Sequence, residues 1–394
     1  MYMFVNGEEY MTEVFADNSI KDETYMRRAI ALAKKGIGAV NPNPLVGAVI
    51  VKDGRVIGEG YHARYGELHA ERDALKKVTE DPAGAEMYVT LEPCCHTGKQ
   101  PPCVEAIVEA GIRKVYVGSD DPNALVAGKG ITYLREHGIE VETHVLKDAC
   151  DALNPVFFHY ITTKTPYVVM KYAMTMDGKI ASATGKSKWI SGEASRARVQ
   201  EMRNELTGIM VGIGTVLADD PMLTCRIEGG RNPVRIVWDS DLRIPEESNL
   251  VKTAEAIRTI VLHDEKLAYD EAIKETMEIL RSRKVELIGL PTVERRIGGR
   301  QMLDPTVAMT RLGEAGVDGI LLEGGGTLNE GLLSAGAVQE VRIFLAPKIL
   351  GGRDALTPVE GAGFDSPDLA AAFTLIETER IGEDIFLRYV KKEV

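Results

Sequence analysis

Cysteine is scarce in this chain of 394 residues, five in all, and tryptophan scarcer with two. So few thiols, odd in number, do not make a disulfide framework in a chain of this size. No apolar run approaches the ~20 residues that a membrane-crossing helix needs. The start, Met1 to Phe15, is acidic and lacks the basic opening and apolar centre of a signal peptide. The expectation is a cytoplasmic protein with no membrane partner. Basic charge is also short: 47 Lys and Arg stand against 59 Asp and Glu, a formal net charge of -12. That balance disfavours a broad nucleic-acid surface, so no nucleic-acid partner is expected. What is present, 44% hydrophobic and 27% charged residues, describes a globular protein, and the length calls for two domains with room for a third.

The segment before Ser19 has no clear period and reads as a poorly ordered extension. An amphipathic helix, Asp22 to Lys35, precedes two strands, Leu45 to Lys52 and Val56 to Tyr61, joined through the tight-turn pair Asp53-Gly54. Strands at Glu86 to Leu91, Lys114 to Val117 and Ile139 to Thr143 then alternate with helices beginning near His69, Cys103 and Ile131. Alternation of this kind implies an α/β sandwich with a mainly parallel sheet. Between Asn154 and Pro166 the pattern breaks at two prolines and a polar Thr-Thr-Lys-Thr run, which marks a domain boundary. The second half alternates again, from strand Tyr167 to Met174 and helix Glu193 to Glu205 onward, and closes on a strand-rich region. No internal repeat or low-complexity tract interrupts it.

The chemistry of the first half lies in His69-Ala70-Glu71, Pro93-Cys94 and Pro102-Cys103. An imidazole and two thiols suit Zn²⁺, and three protein ligands leave one tetrahedral position for water. Each falls where a loop meets a helix, and Cys103 follows a proline at a helix start. Thiols near helix N-termini lose protons readily, as ligands must. A carboxylate outside the ligand set, Glu71, is placed to shuttle a proton from water to a leaving amine, the mechanism of a zinc deaminase. A closed structural zinc site is the competing reading, with Cys95 or His96 as fourth ligand. The eight residues between Cys94 and Cys103 exceed the Pro-Cys-x-x-Cys spacing of many base deaminases. Cys150 and Cys225 read as structural thiols.

Glycine turns dominate the second half. Leu321 to Leu328 runs from an apolar strand through Gly324-Gly325-Gly326 toward a helix, an arrangement in which backbone N–H groups hold phosphate. Val211-Gly212-Ile213-Gly214-Thr215 is a second such turn. Either is equally consistent with a tight loop. A Rossmann fingerprint fails at Leu217, and a P-loop fails at Ile180, upstream of Gly185-Lys186-Ser187. Lys171, Ser187, Arg203, Asp219 and Arg226 remain as polar candidates for a charged, hydroxylated ligand.

Taken together these motifs resemble the bifunctional riboflavin-biosynthesis family, in which a diaminohydroxyphosphoribosylaminopyrimidine deaminase is joined to a 5-amino-6-(5-phosphoribosylamino)uracil reductase. The likeness runs from about Asp22 to Val390. Its signatures are Pro42-Asn43-Pro44-Leu45-Val46-Gly47, His69-Ala70-Glu71, Leu91-Glu92-Pro93-Cys94, Gly98-Lys99-Gln100-Pro101-Pro102-Cys103 and Asp121-Pro122-Asn123, then Lys171 to Lys179, Lys188-Trp189-Ile190-Ser191, Val216 to Pro221 and Glu323-Gly324-Gly325-Gly326. The long thiol spacing fits this family, although Cys95 stands where a small polar residue is expected. The resemblance implies an α/β architecture: a cytidine-deaminase-like three-layer α/β/α domain over 20–155, a linker over 156–165 and a dihydrofolate-reductase-like α/β domain over 166–394. It implies Zn²⁺ on His69, Cys94 and Cys103, proton transfer by Glu71, and deaminase-substrate contacts from Asn43, His62, Lys99, Asp121 and Asn123.

For the reductase it implies NADPH beside Ala173, Trp189, Thr215, Asp219, Ser240 and the turn Gly325, Gly326, Thr327, Leu328, Asn329, Glu330 and Gly331. The phosphoribosyl substrate would meet Lys171, Ser187, Arg203, Leu223, Arg226 and Glu323, with Arg203 and Arg226 gripping its phosphate. A homo-oligomer acting on a small molecule is the accompanying expectation. A nucleoside or tRNA deaminase with a non-catalytic C-terminal binding module is the alternative, and a non-catalytic zinc protein a third.

Overall fold

The computed structural model describes residues 22–297 and 300–392. The extension expected over 1–19 lies outside them. The chain divides into two compact units between Thr162 and Thr163.

The first unit begins with helix α1 over 22–33. Its strands are β1 (Gly47–Lys52), β2 (Arg55–Tyr61), β3 (Glu86–Leu91), β4 (Lys114–Ser119) and β5 (Glu140–Thr143), and its further helices are α2 (Ala70–Lys76), α3 (Cys103–Glu109), α4 (Lys129–Glu136) and α5 (Lys147–Asp151). The strand order is β2-β1-β3-β4-β5. β1 is antiparallel to β2 and β3, while β3, β4 and β5 run parallel. Asp53 and Gly54, both at positive φ, make the β1–β2 turn. The inner strands β1, β3 and β4 are buried on both faces because helices cover both. Ala70, Ala74, Val104, Ile107 and Leu134 pack on Ile50, Met87, Val89 and Val117 from one side. Met26, Ala29 and Leu32 of α1 join Val49, Val51, Tyr88 and Tyr116 on the other. The result is the expected α/β/α sandwich. Helix α6 (Pro155–Thr163) occupies most of the stretch expected as a linker.

The second unit holds β6 (Tyr167–Thr175), α7 (Glu193–Glu205), β7 (Gly208–Gly212), α8 (Ile213–Asp219), β8 (Val234–Trp238), α9 (Asn249–Lys252), β9 (Thr259–Asp264), α10 (Glu271–Ser282) and β10 (Val285–Leu290). Strands β11 (Thr292–Ile297) and β12 (Arg300–Leu303), α11 (Pro305–Glu314), β13 (Gly319–Leu322), α12 (Gly326–Ser334), β14 (Glu340–Ala346), β15 (Phe373–Ile381) and β16 (Asp384–Lys391) complete it. Nine strands form one sheet in the order β10-β9-β8-β7-β13-β6-β14-β16-β15, and β11 pairs with β12 apart from it. Strands β10 through β14 of that order are parallel, and β16 and β15 finish it antiparallel. Alternate residues feed opposite layers: Met210 joins Ile236, Ile320 and Leu322 under α11 and α12, while Ile209 and Val211 join Val237 and Val261 under α8, α9 and α10. The carboxyl ends of β7, β8 and β13 therefore open on one edge, where ligands of open α/β sheets bind.

Candidate active sites

In the first unit three elements deliver the metal-type donors. His69 is the N-cap residue of α2, Cys94 follows β3, and Cys103 opens α3. His69 Nδ1 lies 3.5 Å from Cys94 Sγ and 3.4 Å from Cys103 Sγ, and all three donor atoms fall within 4.8 Å of one another. A tetrahedral zinc ion separates N and S ligands by roughly 3.5 Å, so this donor set fits it. Among the described residues no other His, Cys, Asp or Glu joins that group. The Cys95 thiol instead faces the Leu125 carbonyl at 3.8 Å, which removes one candidate fourth ligand, and His96 also stands outside the donor group.

Glu71, 3% exposed, lies in the first turn of α2 beside this set. Burial raises its carboxyl to about 6, with the charge of Cys94 adding to the shift. A hydrogen bond from Cys103, with another from His69, holds the Cys94 thiol low, and Cys103 rises in turn. A cavity of about 260 Å³ opens in front, lined by His69, Glu71 and Cys94 together with Asn43, His62, Lys99, Asp121 and Asn123. All five substrate candidates of the sequence thus meet around one space. His62 donates from Nδ1 to the Leu68 carbonyl at 2.9 Å and accepts at Nε2 from Asn43 at 3.2 Å, and burial lowers its pKa, so it is a neutral positioned acceptor. Asp121 accepts from the Asn123 amide at 2.8 Å, and burial pushes its carboxyl up to about 6. The Lys99 ammonium lies 3.9 Å from the Tyr65 ring centroid. Phe157 of α6, in the supposed linker, also lines this cavity.

In the second unit a cavity of about 710 Å³ lies over the ends of β7, β8 and β13. Ser187, Thr215, Asp219, Ser240, Gly325, Gly326, Thr327, Leu328 and Gly331 line it. Several expectations need correction. Ile213 starts α8 directly after β7, so the supposed turn around Gly214 is helix, and residues from Gly326 belong to α12. Asn329 is buried and donates to the Gly324 and Pro358 carbonyls at 3.3 and 2.8 Å, which makes it a brace of the glycine turn. Glu330, equally buried, accepts from Ser334 at 3.0 Å. Leu223 buries its side chain in the core, leaving only backbone to offer. Ala173 sits within β6, paired with Phe344, and Trp189 is 63% exposed under the Arg196 guanidinium, 4.6 Å from the ring centroid; neither lines the cavity.

Arg203 turns its fork to Glu323, at 3.2 and 3.0 Å, and donates to the Thr224 carbonyl at 3.0 Å. It is committed to a carboxylate rather than open to a phosphate, whereas Arg226 is exposed. Burial would raise Glu323, but the charges of Lys171 and Arg203 and the hydrogen bonds from Arg203 overcome it and hold the carboxyl at about 2. Lys171 and Glu323 lie one position past the registered pair Met170 and Leu322 on neighbouring strands. Asp241, Arg243, Met302 and Glu360 also line the larger cavity, and no motif in the sequence marked them.

Comparison with known proteins agrees with this geometry. The family model for the RibD C-terminal domain matches residues 166–387, and that for the cytidine and deoxycytidylate deaminase zinc-binding region matches 19–119. The riboflavin biosynthesis protein RibD of Actinobacillus pleuropneumoniae is 51% identical, over 95% of this chain and 97% of that one. The protein of that name from Escherichia coli is 35% identical, over 94% and 100%. Among solved structures, the Thermotoga maritima diaminohydroxyphosphoribosylaminopyrimidine deaminase/5-amino-6-(5-phosphoribosylamino)uracil reductase superposes with a TM-score of 0.82 at 37% identity, covering 95% of this chain and all of the other. Acinetobacter baumannii RibD gives 0.82 at 35% with the same coverage. Two sites on two units, each matched to its own domain type, settle the assignment: the chain belongs to the RibD family, bifunctional deaminase and reductase enzymes of riboflavin biosynthesis.

Proposed function

We propose that the first unit hydrolytically deaminates 2,5-diamino-6-(5-phosphoribosylamino)pyrimidin-4(3H)-one and that the second, with NADPH, reduces the ribosyl group of the product to ribityl. The observation that carries this reading is the convergence of His69, Cys94 and Cys103 beside a buried carboxyl on the wall of one cavity. Zinc held by those three residues would supply the Lewis acidity that brings the pKa of water toward neutrality. Glu71, outside the donor set, takes the water's proton and returns it to the leaving amine, and a carboxyl raised to about 6 is suited to both steps. Neutral His62, held by Leu68 and Asn43, presents a fixed edge to the pyrimidine, with Asp121 and Asn123 across the cavity and Lys99 at its rim for the anionic end of the substrate.

In the second unit the backbone N–H groups at the start of α12 suit the cofactor phosphates, with Thr215, Asp219 and Ser240 around it. NADPH when bound supplies the hydride. The residues of the chain position the ribosyl carbon, ring-opened to an imine, to accept it. Glu323, Lys171 and Ser187 are read as holding hydroxyls and Arg226 as meeting the phosphate, with Arg203 fixing Glu323. The alternative of a C-terminal binding module is not favoured, because residues 166–387 match a reductase family domain. The protein is further read as a cytoplasmic homo-oligomer acting on a small molecule, without nucleic-acid or membrane partners. The acidic balance argues against a broad nucleic-acid surface, and among the described residues no helix is long and apolar enough to cross a membrane.

Purified protein given the pyrimidine substrate is expected to release ammonia and then oxidise NADPH. Glu71→Gln is expected to lose ammonia release by roughly 100-fold or more while keeping one zinc per chain by metal analysis. Zinc lost with that variant would make Glu71 a ligand rather than a proton carrier, and no NADPH oxidation on supplied deaminated intermediate would refute the reductase reading.

A further inference from the structure

The larger cavity carries a charge pattern that its glycine turns do not explain. Among the described residues lining it the only basic side chain is Arg243, against three acids, Asp219, Asp241 and Glu360. Arg243 follows β8, the strand paired in register with β7, whose last residue Gly212 lines the same cavity. When a dinucleotide lies across the carboxyl ends of a parallel sheet, its phosphates sit at one strand end and its adenosine ribose at the neighbouring one. An acid there suits a free 2′-hydroxyl, and an arginine suits a 2′-phosphate.

The turn that presents Arg243 is fixed from beneath. Asp239, fully buried, accepts from the Ile244 amide at 2.8 Å, and its carbonyl accepts from Leu242 at 3.1 Å. Leu242, at φ 51°, sends its side chain into the core beside Ile244. The Ser240 carbonyl accepts from Asp264 at 3.0 Å, tying the turn to β9. Asp241 and Arg243 thus flank a buried anchor. Their own contact is 3.7 Å, longer than a hydrogen bond, with 38% of the Arg243 side chain exposed. The backbone that carries Arg243 is fixed, and its guanidinium reaches Asp241 at ion-pair distance only.

We propose that Arg243 selects NADPH over NADH by taking the 2′-phosphate of the cofactor's adenosine ribose. The assignment rests on the reading of this cavity as the cofactor site. It also explains the pairing with Asp241: without the arginine, a carboxylate would face the phosphate dianion, so its loss removes an attraction and uncovers a repulsion.

The test is steady-state reduction of the deaminated intermediate with each cofactor. Arg243→Ala is expected to lower the ratio of kcat/KM for NADPH to that for NADH by roughly 10- to 100-fold, chiefly through the KM for NADPH. Arg243→Lys, which keeps a point charge but loses the fork, is expected to fall between. As a binding readout, 2′,5′-ADP should compete with NADPH far better than 5′-ADP in the parent enzyme, and this difference should vanish in Arg243→Ala. Equal losses with both cofactors, or undiminished preference for 2′,5′-ADP in the variant, would overturn the role of Arg243 while leaving the cavity assignment standing. A parent enzyme that oxidises neither cofactor would overturn the assignment and this inference with it.

Discussion

Glu323 and Arg203 keep opposite charges inside the second unit, with side chains 15% and 13% exposed. Each compensates the other's lost hydration, so removing one strands a charge. Glu323→Gln is expected to destabilise this unit by about 3–5 kcal/mol, read from its own transition in a urea titration, and to lower kcat/KM for reduction. A near-zero shift would mean that water reaches Arg203. The pH dependence has a definite sign. The folded carboxyl titrates near 2 against an ordinary 4.5. The unfolded chain therefore binds the proton first, and the stabilisation is complete above about 4.5 and falls away as pH drops toward 2. Parent and variant stabilities should converge over that interval. The sequence shows why such a pair escapes notice: Arg203 stands on a helix 120 positions from Glu323, and nothing local says that α7 lies against the end of β13. His69, Cys94 and Cys103 were legible for the opposite reason. Each sits in a short motif whose residue types admit few uses, even though only the fold brings them together.

At the scale of elements, close approach of backbone decides where the deaminase chemistry sits. β2 meets α2 at Gly60, where an added Cβ would overlap the backbone of Ala70 and Ala74. The same helix carries Glu71 and has His69 as its N-cap. Gly60→Ala is therefore expected to cost about 3 kcal/mol of stability in the first unit and to weaken zinc retention, seen as a lower thermal transition and less zinc per chain after dialysis. Unchanged zinc content alongside a lowered transition would separate packing from metal geometry. Most strands were readable because apolar runs such as Glu86–Leu91 and Val234–Trp238 end at turn residues. Glycines misled at α8, where Gly212 and Gly214 suggested a loop. There the burial of Ile213 and Val216 against β7 favours a helix despite its glycine content. Prolines misled at α6. Pro155 opens that helix rather than breaking the chain, since a proline at the first position loses no helical hydrogen bond.

For the whole molecule, each unit carries its own candidate cavity, one lined wholly by residues before Thr162 and the other by residues after Thr163. The residues proposed for deamination, Cys103 apart, line the first, Lys171, Arg203, Arg226 and Glu323 stand outside the lining of the second, and among the described residues none lines both. Damage to one site should then leave the other's kinetics alone. Glu71→Gln should reduce supplied deaminated intermediate at the parental rate, and Arg203→Ala should release ammonia at the parental rate while reducing slowly. Mixed together, the two variants should restore NADPH oxidation from the starting pyrimidine, after a lag that shortens as the concentration of the Arg203→Ala protein rises, because the intermediate crosses through solvent from one molecule to another. A mixture that releases ammonia but never oxidises NADPH would show that the intermediate reaches the second site only within the chain that made it, and the picture of two self-sufficient sites would have to give way to one of obligatory transfer.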